Sequence, residues 1–279
     1  MGNDQFKYLL ELLDDDNEQS ASLAMAELLK SDEASLDHCL RSLQTSDNPR
    51  LRSRLRQLES ARRQRRKRMR MESRINRPAA PLLETCVQLH LEWFDRDTAE
   101  NVMKQWNELL SAFRSKYMQR PSLRDTAEFL SEAGFQAPLN DDLAADFFCI
   151  GTVLEEKYGA DVLLCVIAAS LLRACGSDAA IIRRGDDYGV MDAAGNLLYP
   201  GPDWEYKAKR PFARRAEDVA VLTDAQVIRF AASMLFLCAV GCDSFRYIYT
   251  VGGMLSAMTG SEDGTAFLPY PYNSTTQKS

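Results

Sequence analysis

Apolar residues recur along the first sixty positions with the spacing of amphipathic helices. Phe6, Leu9, Leu10 and Leu13 stand at i, i+3, i+4 and i+7, and Leu36, Cys39, Leu40 and Leu43 repeat the pattern thirty residues later. Ala21, Ala24, Met25 and Leu28 form a second stripe. Leu51, Leu55 and Leu58 echo it, with Arg54 as the one polar residue on that face. The pattern predicts two helix-turn-helix pairs. The connections DDDN (14–17) and TSDNP (45–49) place Asp and Asn where they can cap the second helix of each pair, and Pro49 suits a first helical turn.

This spacing, and the segment DNPRLR (47–52) above all, is similar to HEAT-type repeats. Such stacks need about three repeats to stand alone, so two pairs are expected to lean on another part of the chain. The last helix continues through SARRQRRKRMRMESRINR (60–77), where apolar periodicity stops, and Pro78 and Pro81 then mark a domain boundary.

Helices are expected beyond it around 83–94, at 98–118, from a cap at Ser122 or Asp125 to a stop at Gly134, and at about 141–157. DVLLCVIAASLLRACG (161–176) is apolar on every face and predicts a central buried helix. The period then changes. DAAIIRR (178–184), YGVMDA (188–193) and NLLYP (196–200) read as an antiparallel ribbon of about three strands, and 204–218 as a polar connection. Two helices, about 223–240 and 244–259, precede an irregular tail. The fold class is helix-rich α+β: helical repeats ending in a basic helix (1–77), a core (78–222), and a C-terminal helix pair with its tail (223–279).

With 46% apolar and 27% charged residues, the 279-residue chain can bury a real core and lacks the charge-rich profile of disorder. Charge changes the picture more than composition does. From Arg50 to Arg77 there are 13 basic residues against Glu59 and Glu72, a local charge of +11 in a chain of net −6, which leaves −17 for the rest. The plainest reading is a solvated helix paired with acidic surface of the same protein. Contact with RNA or the ribosome through Arg62, Arg63, Arg65, Arg66, Lys67, Arg68 and Arg70, driven by counterion release, and contact with an acidic protein or a membrane are the alternatives. Without interleaved aromatics to stack bases, the run does not resemble a sequence-reading module. The longest apolar run, 162–172, is interrupted by Ser170 and too short to span a bilayer, and the N-terminus lacks the features of a signal peptide. The expectation is a cytoplasmic protein with no membrane partner. Seven irregularly spaced cysteines suggest reduced thiols.

LRDTAEFLSEAGFQ (123–136), ADFFCIGTVLEEKYGADVLLCVIAASLLRACGSDAAII (145–182) and GNLLYP (195–200) together resemble the bacterial transglutaminase-like family that includes the invasion regulator Sir-B. VLEEKYG (153–159) and LLRACG (171–176) supply the pieces of its helix-and-turn pattern, and the resemblance covers roughly residues 90–200. It implies a transglutaminase-like, papain-like core. Active members of that superfamily are thiol acyl-transferases and proteases. They carry Cys at the N-terminus of the buried helix, where the helix dipole lowers the thiol pKa, His on the next strand and Asp on the one after. The corresponding positions here are Asp161, Asp187 or the neighbouring Tyr188, and Tyr199, and none matches. The chain has only His38 and His90, both upstream of the buried helix.

Other residues have simpler readings. Cys165, one turn past Asp161, could be a displaced nucleophile, but in mid-helix it reads as a packed core residue. Asp161 reads as the N-cap of DVLL, Asp186 and Asp187 as a turn or an acid/base pair, and His90, beside Trp93 and Phe94, as a satisfied helix residue. Cys238 and Cys242 lie four apart but lack companion ligands, so no metal and no cofactor are expected. The expected function is a non-catalytic interaction or scaffold protein that binds another protein. The alternatives are an RNA- or ribosome-associated protein, and a thiol hydrolase or acyl-transferase with an altered site.

Overall fold

Asn17 and Asn48 start two of the first helices. The Asn17 Oδ1 accepts from the N–H groups of Gln19 and Ser20, and the Asn48 Oδ1 from those of Arg50 and Leu51, so each side chain satisfies first-turn donors that a helix leaves unpaired. The computed structural model describes residues 3–30, 37, 40–41, 47–75, 81–118, 120–138, 143–209, 219–242 and 244–259. Leu36, His38, Cys39, Leu43, Pro78, the segments 139–142 and 210–218, and the tail beyond 259 lie outside the described residues. The side chains of 63–75 and of Phe6 lie outside them as well.

The chain divides into two compact units: Met1–Asn76 with Ala239–Ser279, and Arg77–Cys238. The first contains α1 (Asn3–Leu13), α2 (Glu18–Lys30), α3 (Pro49–Ile75) and α10 (Phe245–Thr259). Its core joins Leu9, Leu13, Met25, Leu28, Leu29, Leu51, Leu55, Leu58 and Ala61, with Tyr249 of α10 packed at the margin. Arg54, the polar residue in the α3 stripe, is buried. Its Nη1 donates to the carbonyls of Leu13 (2.8 Å) and Asp15 (2.7 Å), and its Nη2 to the Glu18 carboxylate (2.7 Å). The last carbonyls of α1 have no partner within their helix, and a cation is favoured at that end. Arg54 therefore fastens α3 to the α1–α2 turn.

The second unit holds α4 (Leu82–Trp93), α5 (Ala99–Lys116), α6 (Leu123–Glu132), α7 (Ile150–Glu156), α8 (Asp161–Ala174) and a five-stranded antiparallel sheet. The strands are β1 (Ala179–Arg184), β2 (Asp187–Asp192), β3 (Leu197–Tyr199), β4 (Glu205–Lys207) and β5 (Ala220–Val221), in the order β4-β3-β2-β1-β5. Val162–Ala169, Leu171 and Leu172 of α8 are all buried, as their apolar composition requires, and α8 packs on β1 and β2. Gly185, at φ +60°, turns β1 into β2, with Arg184 opposite Asp187 and Ala179 opposite Asp192. Ser122 and Asp125 form a reciprocal capping box on α6.

Two expectations need correction. The sheet has five strands rather than three, and β4 lies inside the stretch read as a polar connection. Tyr206 pairs with Leu198 while charged Glu205 and Lys207 flank it, so three residues display no period. The helix expected over 141–157 is broken. A 3₁₀ turn, Ala145–Phe148, is followed by an extended Cys149 and then α7, which buries Phe148, Cys149 and Ile150 in succession, as no single helical face can. The two C-terminal helices expected at about 223–240 and 244–259 are both present. The division between the units falls inside α9 (Asp224–Gly241), between Cys238 and Ala239, and α10 packs on α3. Among the described residues, α9 is the one helix long and apolar enough to cross a bilayer, and 44% of it is buried.

Candidate functional site

The head of α8 is where the resemblance places a nucleophile, so its geometry decides what the core can do. Ala160, not Asp161, is the N-cap residue. Its N–H donates to the Phe147 carbonyl (3.0 Å) and its backbone is extended, so the chain enters the helix one residue early and Asp161 sits in the first turn. The cap has no side-chain hydrogen bond. Asp161 is half-buried, and that burial, reinforced by the charge of Asp187, raises its carboxyl from 3.8 to about 6 against the opposing pull of the helix dipole. Asp161 and Asp187 are thus brought within electrostatic reach of each other.

Tyr199 lies close by along the sheet. The β2–β3 register sets it beside Gly189, two residues from Asp187, and a Cβ on Gly189 would stand 2.9 Å from the Tyr199 ring. The tyrosine fills the space that glycine leaves. Lys207 lies over the same ring at 4.8 Å, while the buried Tyr199 hydroxyl has no hydrogen-bond partner. Tyr188, the neighbouring position, packs its ring on Phe230 of α9 at 4.8 Å, and burial raises its hydroxyl pKa. This part of the core therefore holds two carboxylates and two phenols. Of these groups Asp161 takes up a proton at about pH 6, and the Cys165 thiol lies within electrostatic reach of Asp161 and Tyr188.

The buried thiols of Cys165, Cys86 and Cys149 are held in the protonated form. Cys165 is fully buried one turn beyond Asp161, and burial followed by the Asp161 charge pushes its thiol well above the usual value. Burial pushes Cys86 up to about 12, with a further contribution from Asp224. A thiol, an imidazole and a carboxylate do approach one another at a place the sequence did not indicate: Cys149 at the start of α7, His90 on α4, and Asp97 in the loop after it. The His90 Nε2 lies 2.9 Å from Asp97 Oδ2, and the ring sits against Gly151, where a Cβ would come within 2.6 Å of it. Yet His90 Nδ1 is buried without a hydrogen-bond partner, so the ring does not bond the Cys149 thiol. Burial lowers the His90 pKa and raises that of Cys149, the reverse of a thiolate–imidazolium pair. His90 is thus only half satisfied.

Asp97 and Gly151 also line a cleft of about 330 Å³ with Asn101, Gln105, Glu108 and Glu155. A second cleft, of about 390 Å³, is bounded by Arg120, Ser122, Ser177, Asp178 and Asp192. Neither includes Asp161, Cys165, Asp187 or Tyr199. Among the described residues no three His, Cys, Asp or Glu side chains gather to hold a metal ion. Cys238 is buried and Cys242 exposed, although both lie on or beside α9. Of the basic positions, Arg62 to Arg70 all fall on the continuous helix α3, and Arg62 is ion-paired with Asp37. No family model, curated protein or solved structure matches the chain.

Proposed function

We propose that this chain is a non-catalytic interaction protein. Its second unit is a transglutaminase-like core with a degenerate active site, and its first is a HEAT-like helical layer that presents surface to a protein partner. The observation that carries the reading is the chemistry at the head of α8. Asp161, half-buried beside Asp187, occupies the place where that superfamily needs a thiolate, and a carboxylate that takes up a proton near pH 6 is a poor nucleophile at an acyl carbon. The nearest thiol, Cys165, is fully buried with a raised pKa, and His90 is committed to Asp97 away from this position. The reading explains why a buried helix and antiparallel strands persist without the groups that would make them an enzyme.

The test combines two measurements on the full chain. Ester and amide hydrolysis by the wild type should stay at the background rate. Cys165 and Cys149 should label slowly with a thiol reagent under native conditions and quickly in denaturant. Turnover that disappears in Asp161→Ala while the fold is retained, or labelling of Cys165 faster than that of free cysteine, would replace this reading with the altered-enzyme alternative.

A further inference from the structure

The cleft of about 330 Å³ beside His90 lies wholly within the second unit and has the size of a small-ligand site, and its chemistry is independent of the head of α8. Two helices build its walls. Val102, Gln105 and Glu108, at intervals of three, share one face of α5, and Gly151 and Glu155, four apart, share one face of α7. Asp97, in the loop before α5, joins them. Three carboxylates therefore line one cleft, and Lys104 is the one cation among its lining residues.

Little of this charge is neutralised within the protein. Glu155 has no hydrogen bond or ion pair among the described residues. Glu108 acts on Lys157 through its field, but the Lys157 Nζ is turned to the Leu154 carbonyl and lies 4.7 Å from the centre of the Phe135 ring. Asp97 is bonded by the His90 Nε2. That imidazole is 2% exposed and burial lowers its pKa, so it donates as a neutral ring and leaves the carboxylate its charge.

Two buried acceptors at the cleft also lack donors. The Gln105 Oε1 accepts no hydrogen bond, and with Nε2–H given to Asp97 the His90 Nδ1 is bare as well. The ring lies directly beneath the cleft wall, since a Cβ on Gly151 would stand 2.6 Å from its Cε1 and Nε2. A buried acceptor without a partner is destabilising, and an N–H brought into the cleft would relieve it at Gln105. The spacing decides which cation fits. A metal ion needs oxygens that converge on one point, and among the described residues no three such side chains do so. Carboxylates held apart suit charges held apart on one flexible chain, and buried Val102 offers that chain an apolar contact.

We propose that this cleft binds an aliphatic diamine or polyamine, its ammonium groups shared among Asp97, Glu108 and Glu155, an N–H donated to the Gln105 Oε1, and its methylenes along Val102. The His90 ring, bonded to one of the three carboxylates, then reports occupancy.

The test uses the full chain, which has only two histidines, His38 and His90. In His38→Gln the remaining imidazole signal in the proton NMR spectrum belongs to His90. Spermidine, added at about 50 mM salt, should shift that signal saturably. Butylamine, with a single ammonium, should bind at least about tenfold more weakly. The pair Glu108→Gln, Glu155→Gln should also weaken spermidine at least about tenfold, with the ligand-free His90 signal in place to show that the fold is retained. Gln105→Leu changes no charge and should weaken it about threefold. Asp178→Asn removes a carboxylate from the other cleft and should leave affinity within about twofold, which separates this site from general attraction to an acidic chain. No saturable shift of His90, unchanged binding by the carboxylate pair or by Gln105→Leu, equal weakening by Asp178→Asn, or tighter binding of magnesium ions or of a lysine-rich peptide than of spermidine would overturn the proposal.

Discussion

Asp161 shows how one half-buried side chain links stability to pH. Its carboxyl titrates near 6 in the folded chain against 3.8 as its ordinary value. Between those values the native state binds more protons than the unfolded one, so stability falls as pH rises from about 4 to about 6 and stays lower above. A shift of that size carries roughly 3 kcal/mol at face value, but Asp161 keeps part of its surface in water, and screening reduces this to about 1 kcal/mol. Asp161→Asn should therefore stabilise the chain by about 1 kcal/mol at pH 7.5, a few degrees in Tm, and leave it nearly unchanged at pH 4. Thermal unfolding of both proteins at the two pH values checks this, and a loss of stability at pH 7.5 would mean that Asp161 acts as a helix-start acceptor after all. Along the chain alone, Asp161 reads as the cap. The hydrogen bond from Ala160 to Phe147 and the nearness of Asp187 both come from tertiary structure, which local spacing does not encode.

At the scale of elements, Arg54 and α10 supply what two helix pairs lack. Removing the guanidinium in Arg54→Ala leaves the Leu13 and Asp15 carbonyls without their donor and Glu18 without its cation. The expected cost is about 2–4 kcal/mol, with Glu18→Ala milder because that carboxylate is largely exposed. Denaturant melts of the two variants, compared at constant slope, measure the difference. A fragment of residues 1–60 should be poorly folded, since it lacks α10 and the rest of α3 while still bearing the entropy of ordering about 60 residues. Well-dispersed amide resonances and a cooperative melt from that fragment would contradict this. The helices with capped, striped sequences were legible in advance, as Asn17, Asn48 and Ser122 illustrate, because cap and stripe chemistry is local. β4 and β5 were not legible, because two or three residues cannot display a period and their pairing with Leu198 and Ile182 is set from elsewhere in the chain.

Across the whole molecule, acidic and basic residues are distributed by element. The excess of positive charge stands on α3, while the second unit combines a closed apolar helix with carboxylates at its head. The charge asymmetry was plain from composition, and so was the buried helix. What composition could not show was the neighbourhood of each ionisable group: that Cys149, His90 and Asp97 approach without forming a relay, or that Gly189 leaves room for the Tyr199 ring.

The return of α10 to α3 also sets an order of events during synthesis. About 170 residues separate the end of α3 from the start of α10, so at roughly 5–20 residues per second a ribosome takes about 10–30 s to make the intervening chain. The whole of Arg77–Cys238 is made in that interval and can fold first. The N-terminal helices, though synthesised earlier, then wait with the α10-facing side of α3 uncovered. Of the two units, the one translated first is the last to be completed, and it is the one that a chaperone would be expected to hold.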